Sequence, residues 1–162
     1  MTDKRTTRLI AQAAVIAAIY VVLMIVFAPI AFEEIQVRIA EALTILPIYT
    51  ASAVPGLAVG CLLGNIIGGA PLPDVVFGSL ATLIGAAGTR LLRKSKPAIA
   101  VIPPIVANMV IIPFVLRYAY EIPLPIPLMM ATVGLGEVIS CGMLGLLLYK
   151  ALLPHRDSVF KM

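Results

Sequence analysis

From residue 126 to residue 148 the chain carries one charge, Glu137, in an otherwise uncharged and mostly apolar run. About 20 apolar residues are enough for a helix to cross the hydrocarbon core of a bilayer. A run of this kind therefore restricts the fold to helices packed in lipid. The rest of the chain agrees. It has 162 residues, 61% of them hydrophobic and 12% charged, with a mean hydropathy of +1.08, where soluble domains carry about 25% charged residues. The expected fold is an all-α integral membrane protein, a compact bundle of about six transmembrane helices. It forms a single membrane domain over 1–162, with no appended soluble module.

The expected spans are 9–29, 35–49, 53–68, 75–92, 98–116 and 126–148. The region from 35 to 69 is too long for one crossing. Pro47 and the stretch 51–55 divide it into two short pieces that tilt, enter partway or unwind at their ends. The first run follows Lys4, Arg5 and Arg8 as a secretory signal would. It is longer than a signal's apolar region and lacks a convincing cleavage site, so it reads as a retained helix. The 13 prolines and 12 glycines suit membrane helices, whose neighbours satisfy broken backbone bonds.

Basic residues set the orientation. Ten of the twelve fall on one side of a six-span arrangement, leaving only Arg38 and Arg117 on the other. Both termini are thus expected in the cytoplasm of a plasma-membrane protein. Topology explains the net charge of +4, and no basic surface with interleaved aromatics points to nucleic acid. The outer connections then hold Glu33 and Glu34, the stretch G-A-P-L-P-D at 69–74, and a proline-rich segment at 117–127. The last two are stiff enough to frame a site open to the outside. Cys61 and Cys141 lie inside apolar runs and read as buried free thiols acting as small hydrophobes.

In lipid, helices associate by close packing, so small residues at four-residue spacing mark contact faces. Gly56, Gly60, Gly64 and Gly68 form such a ladder. Ala13, Ala14, Ala17 and Ala18 form a second seam, open to internal packing or to docking of another subunit.

A carboxylate near the middle of a span is expensive and marks a functional site by default. Glu137 lies about 16 Å below the start of its helix. Asn108 reaches a similar depth in the fifth span, bent by Pro103, Pro104 and Pro113. Arg38 and Glu41 share one face of the second span, and Asn65 lies near the end of the third. These five are the candidate solute-binding residues. Bland alternatives stand beside that reading. Arg38 could form a structural ion pair with Glu41 or Glu34, Asn108 could join two helices, and Glu137 could be a protonated structural acid. Asp74, after a proline at a helix start, is expected as an N-cap.

A carboxylate accepts two parallel donors, and an amide or guanidinium supplies the complementary ones. The Watson–Crick edge of a guanine-type ring would suit this set, as would an amino-group ligand. An intramembrane enzyme is disfavoured: the one histidine, His155, lies in the tail, and neither a metal cluster nor a nucleophile–base pair is apparent. No cofactor and no metal are expected. A self-sufficient carrier would use Glu137 as a proton site, but no internal repeat is evident.

The stretches E-I-Q-V-R-I-A-E-A-L-T-I-L-P at 34–47, P-G-L-A-V-G-C-L-L-G-N at 55–65 and L-P-D-V-V-F-G-S-L-A-T-L-I-G-A at 72–86, with G-E at 136–137, resemble the QueT family. These are queuosine-precursor S components of energy-coupling-factor (ECF) transporters. The resemblance runs over nearly the whole chain. It implies a subunit that captures a 7-deazaguanine, such as queuine or an earlier precursor, from outside. It also implies partnership with a transmembrane coupling (T) subunit and two cytoplasmic ATPase subunits, docked through the alanine face of the first helix. In agreement, the chain has no phosphate-binding loop of its own. On this reading Glu137 accepts the guanidine-like donors, Asn108 and Arg38 address ring acceptors, Glu41 orients Arg38, and Asn65 contributes from the third helix.

Overall fold

Apolar sequence and small-residue spacing together produce a bundle of six helices, seen in the computed structural model, which describes residues 4–27, 37–156 and 160. The first helix is Lys4–Val26, the third Ala53–Ile67 and the fourth Leu72–Leu91. The fifth is broken near its start into Pro97–Ala100 and Ile102–Tyr118. The sixth runs Ile126–Glu137, then a π-helical stretch Val138–Leu144, then Gly145–Leu152. Four of these are long and apolar enough to cross a membrane, and two shorter apolar pieces, Ile39–Ile48 and Ala53–Ile67, complete the set. No strand occurs among the described residues. The chain is a multi-pass membrane protein.

The second helix, Ile39–Ile48, is a 3₁₀ helix ten residues long, unusual for a form that seldom exceeds four. Its consequence is geometric. With three residues per turn, Arg38, Glu41 and Thr44 stack in one row instead of spiralling apart. Pro47 lies in its last turn, one residue before the end at Ile48. Eight of its ten residues are buried, so this helix is the axis around which the others stand.

The glycine ladder packs as expected over its first three members. A Cβ at Gly56 would stand 2.7 Å from the Ala13 carbonyl oxygen, and one at Gly60 2.8 Å from Tyr20 Cβ and 3.1 Å from Ala17 Cα. Gly64 closes the seam against Met24. Gly68 is exposed and caps the third helix, followed by Gly69 at φ +74°, a left-handed turn that suits glycine. Ala13 and Ala17 are thus taken up inside the bundle, while Ala14 and Ala18 face outward. A second seam joins the fourth and fifth helices, where a Cβ at Gly85 would lie 2.6 Å from Pro104 Cα.

Two apolar clusters fill the interior. Ile16, Tyr20, Leu43, Leu57 and Cys61 belong to one, and Ala81, Ile112, Leu116, Met129 and Val133 to the other. The connection after the fifth helix folds back over the second cluster through Tyr120, Ile122 and Leu124. Its one backbone oddity is Glu121, at φ +54°. The outer connection holding Glu33 and Glu34 lies outside the described residues.

Candidate functional site

The polar side chains at depth converge on the row presented by the second helix. Arg38 is 2% exposed, and its Nη2 donates to both oxygens of Asp74, at 3.3 and 3.2 Å. The expected partners of Arg38 were Glu41 or Glu34. Glu41 makes no ion pair with it, and Glu34 lies outside the described residues. Nor does Asp74 cap the fourth helix. That helix begins two residues earlier, with Pro71 at the cap and Pro73 in the first turn, where a missing N–H is harmless. Asp74 is left inside the first turn, free to face Arg38. Tyr120 Oη donates to Asp74 Oδ2 at 2.8 Å, so the folded-back connection covers the pair. Burial and the Asp74 carboxylate push the Tyr120 phenol up, which keeps it a donor.

One turn deeper, Glu41 Oε1 accepts from Tyr20 Oη of the first helix and, at 2.8 Å, from Thr82 Oγ1 of the fourth. Asp74, Gly78 and Thr82 recur at four-residue spacing, so they line one face of the fourth helix over about 12 Å. Gly78 leaves room there: a Cβ would meet Asp74 Oδ1 at 2.6 Å, Asn65 Nδ2 at 3.1 Å and Arg38 Nη1 at 3.6 Å. Asn65 enters the same group by donating to the Asp74 carbonyl at 3.1 Å.

The sixth helix contributes Glu137, 2% exposed, whose Oε2 accepts from Cys141 Sγ at 3.0 Å. Cys141 also accepts from Thr44 Oγ1 at 3.3 Å and contacts the Glu41 carbonyl oxygen at 3.5 Å. It is therefore more than a small hydrophobe, although it and Cys61 are both free thiols. Single atoms of Glu41, Glu137 and Cys141 lie within 4.8 Å of one another, the group that could hold a cation. The π-helical stretch begins directly after Glu137; such distortions of helix geometry recur at functional sites.

Several of these groups have spare hydrogen-bonding capacity. Arg38 Nε and Nη1, Glu41 Oε2, Asn65 Oδ1, Asn108 Oδ1 and Ser140 Oγ are buried without a protein partner. Buried polar atoms are nearly always satisfied, and each exception calls for a reason. The unpartnered donors concentrate on Arg38, and the unpartnered acceptors on Glu41 and the two amides.

Four of the five sequence-predicted residues, Glu137, Glu41, Arg38 and Asn65, thus meet around the second helix. Asn108 is fully buried but bonds within its own helix, donating to the Pro104 carbonyl at 3.2 Å; no hydrogen bond joins it to the others. Tyr20, Thr44, Thr82 and Cys141 were missed. The four-residue spacings Asp74–Gly78–Thr82 and Glu137–Cys141 were the available signal.

No curated protein and no solved structure matches the chain. The family model described as QueT transporter matches it over residues 10–154, from within the first helix to the end of the sixth. The chain belongs to the QueT transporter family, and its polar core lies inside the part that the family model covers.

Proposed function

We propose that this chain is the S component of an ECF-type transporter, a single membrane domain that captures a queuosine precursor, a 7-deazaguanine such as queuine, for uptake. The observation that carries this reading is the set of buried, unpartnered donors and acceptors around the second helix. A deazaguanine offers N–H donors to the carboxylates of Glu137 and Glu41, and ring acceptors to the free Arg38 nitrogens. Asn65 supplies a further acceptor oxygen, and Asn108, whose amide nitrogen bonds the Pro104 carbonyl, offers its oxygen in place of the donor expected of it. Asp74, rather than Glu41, holds Arg38 in position. The protein performs no chemistry on its cargo.

Capture is from outside, with both termini cytoplasmic and the proline-rich connection bearing Tyr120 over the entrance. Energy comes from partners, a transmembrane coupling subunit and two cytoplasmic ATPases. The first helix supports such docking because it is peripheral: only 22% of its most apolar stretch is buried, against 50% in the fourth. Its open face carries Ala14 and Ala18 and borders a groove formed with Leu148, Leu152 and Phe160.

Equilibrium dialysis of labelled queuine against the purified wild type and Glu137→Gln tests the site. The amide replaces an acceptor oxygen with donors and removes charge, so affinity should fall by about 100-fold or more while the protein stays monodisperse. Equal affinities would remove Glu137 from the site.

A further inference from the structure

The fourth and fifth helices are pressed together at one end and open at the other. A Cβ at Gly85 would stand 2.6 Å from Pro104 Cα, and Gly88 meets Pro103 in the same way. Toward the opposite end the glycines give way to Pro73 and Phe77 on the fourth helix and to Val110, Phe114 and Tyr118 on the fifth. Between these side chains lies a groove of about 470 Å³ that reaches Ala119. The Tyr118 hydroxyl is the one polar side-chain group among them.

Its position fixes what fills it. Phe77 is 49% exposed, Val110 43% and Phe114 46%, on helices long and apolar enough to cross a membrane. The groove therefore opens sideways into hydrocarbon and not into water. From Val110 to Tyr118 the fifth helix rises about 12 Å. One leaflet of the hydrocarbon core is about 15 Å deep, so the groove has the length of a single layer of acyl chains. Left empty, its walls would forfeit their dispersion contacts.

A charge stands at the mouth. Arg117 follows Phe114 by three residues and Val110 by seven, so it lies along the same face of the fifth helix. It is exposed, donates through Nη1 to the Ile122 carbonyl oxygen at 3.1 Å, and makes no ion pair among the described residues. Beside it Tyr118 is 75% exposed, an amphipathic ring of the kind that sits at headgroup level.

We propose that this groove binds one phospholipid from the leaflet at that end. An acyl chain lies along Phe77, Val110 and Phe114, and the phosphate meets the Arg117 guanidinium, a charge-assisted pair. The groove ends at Pro73 and Ala119, the chain neighbours of Asp74 and Tyr120. The lipid thus braces the contact by which the connection covers the polar core. The site is separate from that core and does not depend on which solute the core holds.

Native mass spectrometry of the purified full chain, released from detergent micelles, tests this with three probes. They are palmitoyl-oleoyl phosphatidylglycerol, the diacylglycerol with the same chains, and inorganic phosphate. The phosphatidylglycerol should bind one to one and about 10-fold more tightly than the diacylglycerol, while phosphate alone should not bind. Arg117→Gln should bring the two lipids to within about 3-fold of each other. Val110→Trp, whose indole occupies the groove, should weaken both by about 10-fold. Both positions are exposed, so neither change disturbs the packed interior. Lipids bound in a graded series without a preferred first site would be ordinary boundary lipid and would overturn the inference. So would a first site that neither substitution weakens. Binding of inorganic phosphate would reveal an anion site without a chain, and a dimer that added lipid leaves intact would give the groove to a second copy; either would overturn it.

Discussion

Gly78 shows how single residues set the site. It lies between Asp74 and Thr82 on the face of the fourth helix, and a methyl group there would enter the space shared by Asp74, Asn65 and Arg38. Alanine is otherwise the better helix former, by about 1 kcal/mol. Gly78→Ala should therefore leave thermal stability in detergent within about 1 kcal/mol of wild type while weakening solute binding about 10-fold or more. Loss of stability with unchanged affinity would place Gly78 in the packing and not in the site. The charged residues at depth could be read from sequence because lipid makes each one an exception. Their partners could not. Arg38 has several acids within reach of its long side chain, and only the fold selects Asp74 over Glu41. Tyr20 and Thr82 are ordinary in composition, and become significant only because Glu41 ends between them.

At the scale of elements, the decisive feature is the row of Arg38, Glu41 and Thr44 on a 3₁₀ helix. Spacing by three was visible in the sequence. The tighter winding that aligns the row was not, because apolar periodicity does not distinguish ten residues of 3₁₀ from a short α-helix. The glycine ladder was more legible, since its four-residue period has a single natural reading, and the structure seats it against Ala13, Ala17 and Met24. The two faces of the first helix then separate by experiment. Gly60→Leu should overpack the seam, lowering stability by about 1–3 kcal/mol, seen as a fall in melting temperature. Ala14→Leu and Ala18→Leu point outward and should leave stability and solute binding unchanged while preventing co-purification of the coupling subunit. Normal recovery of the complex with either alanine variant would move docking away from this face.

For the whole molecule, hydropathy and basic-residue bias foretell a helical bundle of this size, because the bilayer admits few alternatives. Sidedness is open to direct test. Cys61 and Cys141 are fully buried, so a single introduced thiol dominates labelling by a membrane-impermeant maleimide in intact cells. Glu121→Cys should label without permeabilisation and Lys94→Cys only after it; the reverse pattern would invert the proposed topology. The central claim is that this chain alone captures a deazaguanine. Calorimetric titration of the purified protein with queuine, and with guanine as the comparison, addresses it most directly. The account predicts tight one-to-one binding of queuine by the isolated chain, without partners or ATP. Monodisperse protein that bound neither compound would contradict it and direct the search to a different cargo for the same polar core.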